Sequence, residues 1–325
     1  MAVREIVDKT STRIQRPRWL VSFHILLVLF VLPLVGLREG RGEETKEKPL
    51  HYQPGLLEQA PVPMHGQEIV KPFHIISNVY YVGLSNNSIF LITTPGGHFL
   101  LDQGFESTAP YIANSIEQLG FHVKDIKYLI QAHAHVDHID GLAAFKRLTG
   151  AKVLVMEQDA EVLADGGKSE FRSDGSLLWE PVKADQIIHD GDGVSLGATT
   201  MVAHLTPGHT KGCTTWSTTV EEDGRRYDVV FSCGMRLNPG VPLIGNQKYP
   251  NIAEDYKKGF GTLRGLACDV FLSSHERYAR ILEKMNQSRT GAGSKPFIDP
   301  QGCRSYAETA ERAFLEELAK ETNGR

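Results

Sequence analysis

The chain has 325 residues, of which 41% are hydrophobic and 23% charged, a balance that excludes a disordered chain and supports a sizeable buried core. Lys plus Arg number 35 against 39 Asp plus Glu, a formal net charge of −4, so the basic face that a nucleic-acid partner requires is not expected. Four cysteines exclude a disulfide-dense miniprotein and allow at most two bridges.

The N-terminus reads as a targeting segment. Trp19 to Leu37 is almost wholly apolar, interrupted by Ser22, His24 and Pro33, and Arg4, Lys9, Arg13, Arg16 and Arg18 precede it. A basic start before an apolar run is the layout of a secretory signal. The run exceeds the usual signal core, and about 20 apolar residues can span a bilayer, so residues 1–37 are either a cleaved signal peptide or an N-terminal membrane anchor. Either reading exports the remainder to an oxidising space, periplasmic in the expected setting, where cysteines pair. Residues 38–57 are polar and charged and read as a linker, leaving one folded domain over 58–325.

Inside that domain, Val79 to Val82, Ser88 to Thr93 and Phe99 to Asp102 read as strands separated by Asn86-Asn87 and Pro95-Gly96-Gly97 turns. Ala109 to Leu119 carries apolar residues at helical spacing and closes on Gly120. Ile126 to Gln131 is a strand, Gly141 to Leu148 a helix ending before Gly150, and Lys152 to Met156 a strand. A strand-rich stretch follows at Gln186 to His189, Thr199 to Leu205, Thr214 to Val220 and Tyr227 to Phe231. The chain ends with a helix over Ile252 to Leu266, a strand over Asp269 to Leu272, and helices over Arg277 to Asn286 and from Arg304 to about Lys320. This order predicts an α/β fold of two sheets packed face to face, with helices on their outer faces.

Six residues carry the chemistry. His133, His135, Asp137 and His138 form an H-x-H-x-D-H segment just beyond a strand, where residues two apart project the same way. His209 follows a Pro-Gly turn after a second strand, and His275 follows a third. Imidazole nitrogens and carboxylate oxygens both bind zinc, and three strand-end loops each offering a histidine can converge.

The segments HAHVDH, HLTPGHTKGCTTW and SSH resemble those of the metallo-β-lactamase superfamily, and specifically the class B β-lactamases of subclass B3. PFHIISNVYYVG, LLDQGFE, GNQKYPNIAEDYKKGF and CDVFLSSH extend the resemblance over most of the domain. It implies a four-layer αβ/βα sandwich with two zinc ions in the groove between the sheets. His133, His135 and His209 would hold the first; Asp137, His138 and His275 the second. The implied activity is hydrolysis of the β-lactam amide by a metal-bound hydroxide, giving resistance to β-lactam antibiotics. Three ligands per ion leave an open position, the mark of a catalytic site, and Asp137 would also orient the attacking group. Asp102 is expected to brace the His-rich loop, and Thr210 to support His209. A monomer acting on a small-molecule β-lactam is expected.

Lactone hydrolases and glyoxalase II of the superfamily carry a metal-bridging Asp where this chain reads Phe231-Ser232-Cys233-Gly234-Met235, which favours a β-lactamase over those relatives. Subclass members often place a Ser at Gly234 or Met235 to hold the substrate carboxylate. Met235 has no donor, so Arg236 and Asn238 become the candidates for that role. The resemblance also implies a Cys268–Cys303 disulfide and, as in some members, a Cys213–Cys233 bridge. The competing role for Cys213, four residues after His209, is a zinc ligand. Two rival chemistries are set aside. Gly193-Val194-Ser195-Leu196-Gly197 lacks the strand-turn-helix setting of a nucleophile elbow, and no S-x-x-K occurs. Other hydrolysis on the same fold (of a lactone, thioester or ester) and an anchored, non-catalytic zinc protein stay as alternatives.

Overall fold

The computed structural model describes residues 65–324. The targeting segment, the linker and the domain's start at residue 58 therefore lie outside the described residues. No helix among the described residues is long and apolar enough to cross a membrane.

Two sheets form the centre. The first has seven strands in sequential order: β1 (Phe73–Ile76), β2 (Val79–Tyr81), β3 (Phe90–Thr94), β4 (Gly97–Leu101), β5 (Ile126–Ile130), β6 (Lys152–Met156) and β7 (Gln186–Ile188). The second has five, ordered β12-β11-β10-β9-β8, built from β8 (Gly193–Leu196), β9 (Thr199–Leu205), β10 (Thr214–Glu222), β11 (Arg225–Ser232) and β12 (Val270–Ser273). The period-two alternation of strand side chains divides the core. Phe90 and Ile92 of β3, with Phe99 and Leu101 of β4, join Trp216 and Phe231 of the second sheet in one buried cluster. Leu91 and Leu100 point the other way and pack under helices α1 (Ala109–Gln118) and α3 (Leu142–Thr149), contributed by Ile112, Ile116, Leu142 and Phe145.

The remaining helices are α2 (Val136–Ile139), α4 (Ala160–Asp165), α5 (Ile252–Gly265), α6 (Glu276–Ala279), α7 (Ile281–Gln287) and α8 (Gly302–Asn323). Tyr256 and Phe260 of α5 pack against Phe314 of α8 and cover the second sheet. The expected αβ/βα sandwich is the observed one.

Several elements differ from the sequence reading, the short helices α2 and α4 among them. Strands β1 and β8 were not expected; the FHII of β1 does not alternate, since its last two residues are both buried. The single helix expected over Arg277 to Asn286 is two, because Arg280 adopts a left-handed backbone (φ 52°) and the Glu276 side chain accepts from the Leu282 N–H across the break. Ser195 of the G-x-S-x-G segment sits on β8, exposed, with its hydroxyl on Thr200, and has no histidine partner.

Candidate metal centre

The six candidate residues gather beyond strand ends, on loops or in the helix turn that follows. His133 and His135 lie in the turn between β5 and α2, Asp137 and His138 in the first turn of α2, His209 between β9 and β10, and His275 between β12 and α6. Donor atoms of His133, His135 and His209 lie within 4.8 Å of one another, and so do those of Asp137, His138 and His275. The groups adjoin: the His133 and His138 rings are 4.1 Å apart, and His138 Nε2 is 3.4 Å from His275 Nε2.

The outer nitrogens are engaged in ways that aim the inner ones. His138 Nδ1 bonds Asp102 Oδ2 at 2.8 Å, and His209 Nδ1 donates to the Arg236 carbonyl at 2.8 Å. His133 Nδ1 rests 3.6 Å from Cys233 Sγ, while its buried Nε2 has no hydrogen-bond partner. Asp102, with a left-handed backbone (φ 64°), also accepts the Ala132 N–H at 2.7 Å, so it braces the His-rich turn from below as expected.

Electrostatics separate the two groups. Burial holds the imidazoles of His133, His135 and His209 well below the ordinary histidine range, keeping them neutral donors. Burial also opposes charge on His138, but Asp137 and Asp102 outweigh it and push that imidazole up to about 10. Burial acts against the Asp137 carboxylate too, and the neighbouring His138 and His275 overcome it, holding it well below the usual carboxylate range.

Three residues of the site were not anticipated. Asp159, 3% exposed, accepts from Ala134 N at 2.9 Å, Thr210 Oγ1 at 2.9 Å and Gly212 N at 2.7 Å, tying the His133–His135 turn to the His209 loop. Gly212 is required there, since a Cβ would come within 2.6 Å of Asp159. Asn87 donates from its amide to Asp137 Oδ2 at 3.0 Å, while its backbone pairs with that of His275. Glu170 lies 3.7 Å from His135 Nε2. Thr210 thus supports the His209 loop through Asp159.

The expected carboxylate-binding residues are placed differently from one another. Met235 is 1% exposed in the core, and its N–H donates to the Tyr306 hydroxyl. Its side chain packs against Gly259 of α5 and offers no polar atom to a substrate. Asn238 is buried, donating to the His209 carbonyl at 2.7 Å and accepting from Arg172 at 3.0 Å, so its amide is committed to bracing. The Arg236 side chain is exposed and lines a cavity of about 640 Å³ that also includes Tyr278, whose ring contacts His275. A second cavity of about 520 Å³, lined by His135, Phe171, Leu177, Trp179 and Val241, opens beside the first triad. Cys213 and Cys233 form a disulfide, as do Cys268 and Cys303, so Cys213 is not a thiolate ligand.

The sequence profile of the metallo-beta-lactamase superfamily matches residues 82–286. The chain belongs to the metallo-beta-lactamase superfamily. Its solved relatives include the FEZ-1 metallo-beta-lactamase of Legionella gormanii, 40% identical, with 81% of this chain and 99% of that one covered at a TM-score of 0.77. BJP-1 of Bradyrhizobium japonicum, a subclass B3 metallo-beta-lactamase, is 35% identical, covering 78% of this chain and 96% of that one at a TM-score of 0.74. The subclass B3 likeness read from the histidine segments thus extends through the whole fold. Among curated relatives, the N-acyl homoserine lactonase AttM of Rhizobium radiobacter is 30% identical over 38% of this chain and 56% of its own length. The chain spans between a third and just over half the length of the first curated relatives it matches.

Proposed function

We propose that this protein is a zinc-dependent β-lactam hydrolase. One observation carries the reading: two adjoining three-residue donor groups, a neutral tris-imidazole set beside an Asp-His-His set, in a chain 40% identical to a metallo-beta-lactamase over 99% of that enzyme and 81% of this chain. The residues fit a pair of zinc ions. The buried Nε2 of His133 has no hydrogen-bond partner in the protein, and the donor types are those zinc prefers. Two ions are the number this donor count suits, three ligands each.

Bound zinc supplies Lewis acidity, polarising a carbonyl and lowering the pKa of water towards neutrality. The chain's own residues do the rest. Asp137, fixed by Asn87, presents a carboxylate oxygen that can accept a proton or orient a water at the junction of the triads. His209 is held in one orientation by the Arg236 carbonyl, and Asp102 fixes the tautomer of His138. Arg236 is an exposed cation suited to the substrate's carboxylate.

A second reading, hydrolysis of a lactone or thioester, is favoured by the lactonase and hydroxyacylglutathione hydrolase among the curated relatives. Against it stands Cys233, tied into a disulfide in the stretch where those enzymes place a bridging carboxylate. An anchored zinc protein without turnover is the third. Nitrocefin, a homoserine lactone and a glutathione thioester assayed side by side, with and without a chelator, separate them. Chelator-sensitive nitrocefin turnover restored by zinc is expected; chelator-resistant turnover, or turnover confined to the other substrates, overturns the reading. Two disulfides suit an exported, periplasmic monomer, soluble after cleavage or anchored through residues 1–37, in which such an activity would confer β-lactam resistance.

A further inference from the structure

Of the imidazoles in the first triad, one has no settled outer partner. His133 rests on Cys233 and His209 on the Arg236 carbonyl, whereas His135 Nε2 is buried and makes no hydrogen bond. A buried N–H left without an acceptor is costly, and metal-ligating histidines almost always donate their second nitrogen. Glu170 Oε1 stands 3.7 Å from that nitrogen, about 0.5 Å beyond the N–H···O range.

Glu170 is itself 8% exposed, an unusual place for a carboxylate without a partner. Its charge is compensated by Arg172, whose Nε donates to Oε1 at 3.2 Å and whose backbone N–H donates to Oε2 at 2.9 Å. Arg172 then reaches Asn238 Oδ1 at 3.0 Å, and Asn238 Nδ2 donates to the His209 carbonyl at 2.7 Å. The path starts at one member of the triad and closes on another. Glu170 is not among the residues whose donor atoms converge, so it stands behind His135 rather than within the donor set.

We infer that Glu170 is a positioning residue for the first triad, accepting the His135 Nε2–H so that Nδ1 faces the metal, and clamping His135 to His209 through Arg172 and Asn238. This rests on the reading of the triad as a zinc site. The clamp also belongs to the wall of the 520 Å³ cavity, which Glu170, Phe171, Arg172 and Ser173 line together. The orientation of a first-site ligand is thereby joined to the wall that a substrate side chain would press against.

The test is zinc affinity, measured by competition with a chromogenic chelator on the whole protein. Glu170→Ala should weaken one of two zinc ions by about 10–100-fold and leave the other unchanged. Glu170→Gln keeps an acceptor oxygen for His135 and should recover most of that loss. Zinc-free melting should be the same for all three proteins. Wild-type affinity at both sites in Glu170→Ala overturns the clamp. So does an equal weakening of both ions with a fall in zinc-free melting, which would make Glu170 a loop support only. Wild-type protein that binds no zinc fails earlier and differently: it overturns the metal reading on which the clamp rests.

Discussion

Asp159 offers the sharpest test of how this site is held together. Its carboxylate joins two loops, accepting the Ala134 and Gly212 N–H groups and the Thr210 hydroxyl. Replacing it with Ala strands two buried backbone donors. An unsatisfied buried donor costs about 1–3 kcal/mol, so two cost about 2–6 kcal/mol. Part of this is offset, because burial pushes the Asp159 carboxyl above its ordinary range and its removal relieves that desolvation. The expected net loss is about 2–4 kcal/mol for Asp159→Ala. Asp159→Asn keeps the shape and one acceptor but turns an amide N–H towards Ala134 or Gly212, and should cost about 1–3 kcal/mol. Urea unfolding of the zinc-free protein reads both, as a shift in midpoint at unchanged slope. Because the bonds flank His133, His135 and His209, both variants should also weaken zinc at the first triad more than at the second. Asp159→Asn with stability within about 0.5 kcal/mol of wild type and unaltered zinc binding would refute the reasoning.

Asp137→Asn retains the bond geometry to Asn87 in outline but removes the charge that faces His138 and His275; turnover should fall by at least about 10²-fold, and near-native steady-state turnover would misassign the residue. Arg236→Ala should raise KM by about tenfold with a smaller effect on kcat, as expected for a contact made equally in ground and transition states, and unchanged constants would remove Arg236 from substrate binding. Denatured, unreduced protein recovered from an oxidising compartment should titrate none of its four cysteines; two or more free thiols would contradict the paired arrangement.

The metal-binding pattern was legible because its residues are local. Four donors fall within His133–His138, and the strand-end positions of His209 and His275 follow from apolar runs that stop before them. Asp102 was legible for the same reason, at the foot of a strand. Asp159, Asn87 and Glu170 were not. Asp159 and Asn87 are single polar residues whose partners lie far along the chain, 25 to 53 positions away for Asp159 and 50 for Asn87, and Glu170 bonds Arg172 nearby but meets the site only through distant His135; no periodicity encodes such contacts. Met235 was legible only as a residue without a donor. Its neighbours Gly234 and Arg236 flank the site, but the side chain itself turns into the core against α5, a choice that depends on the local backbone beyond β11 rather than on residue type. Likewise, helical spacing over Arg277 to Asn286 is real, and only the left-handed turn at Arg280 divides it.

The two disulfides make a prediction that the fold alone does not. Cys213–Cys233 closes a loop of sequence separation 20 and Cys268–Cys303 one of 35. In the chain-entropy account, a closed loop stabilises by restricting the unfolded chain, giving about 3 kcal/mol for the shorter and about 4 kcal/mol for the longer. On stability alone, removing the longer bridge should therefore cost slightly more. The site reverses the order. Cys213–Cys233 joins the start of β10 to the end of β11, with Cys233 Sγ against His133 Nδ1 and Cys213 only four residues beyond His209. Cys268–Cys303 instead ties the segment before β12 to the start of α8. A Cys213→Ser/Cys233→Ser variant should thus lose zinc affinity at the first triad together with its stability. A Cys268→Ser/Cys303→Ser variant should lose stability and keep its zinc affinity. Chelator competition and urea unfolding on both double variants test the separation. Equal zinc binding in the two would mean that the bridge beneath His133 holds the fold and does nothing for the metal site.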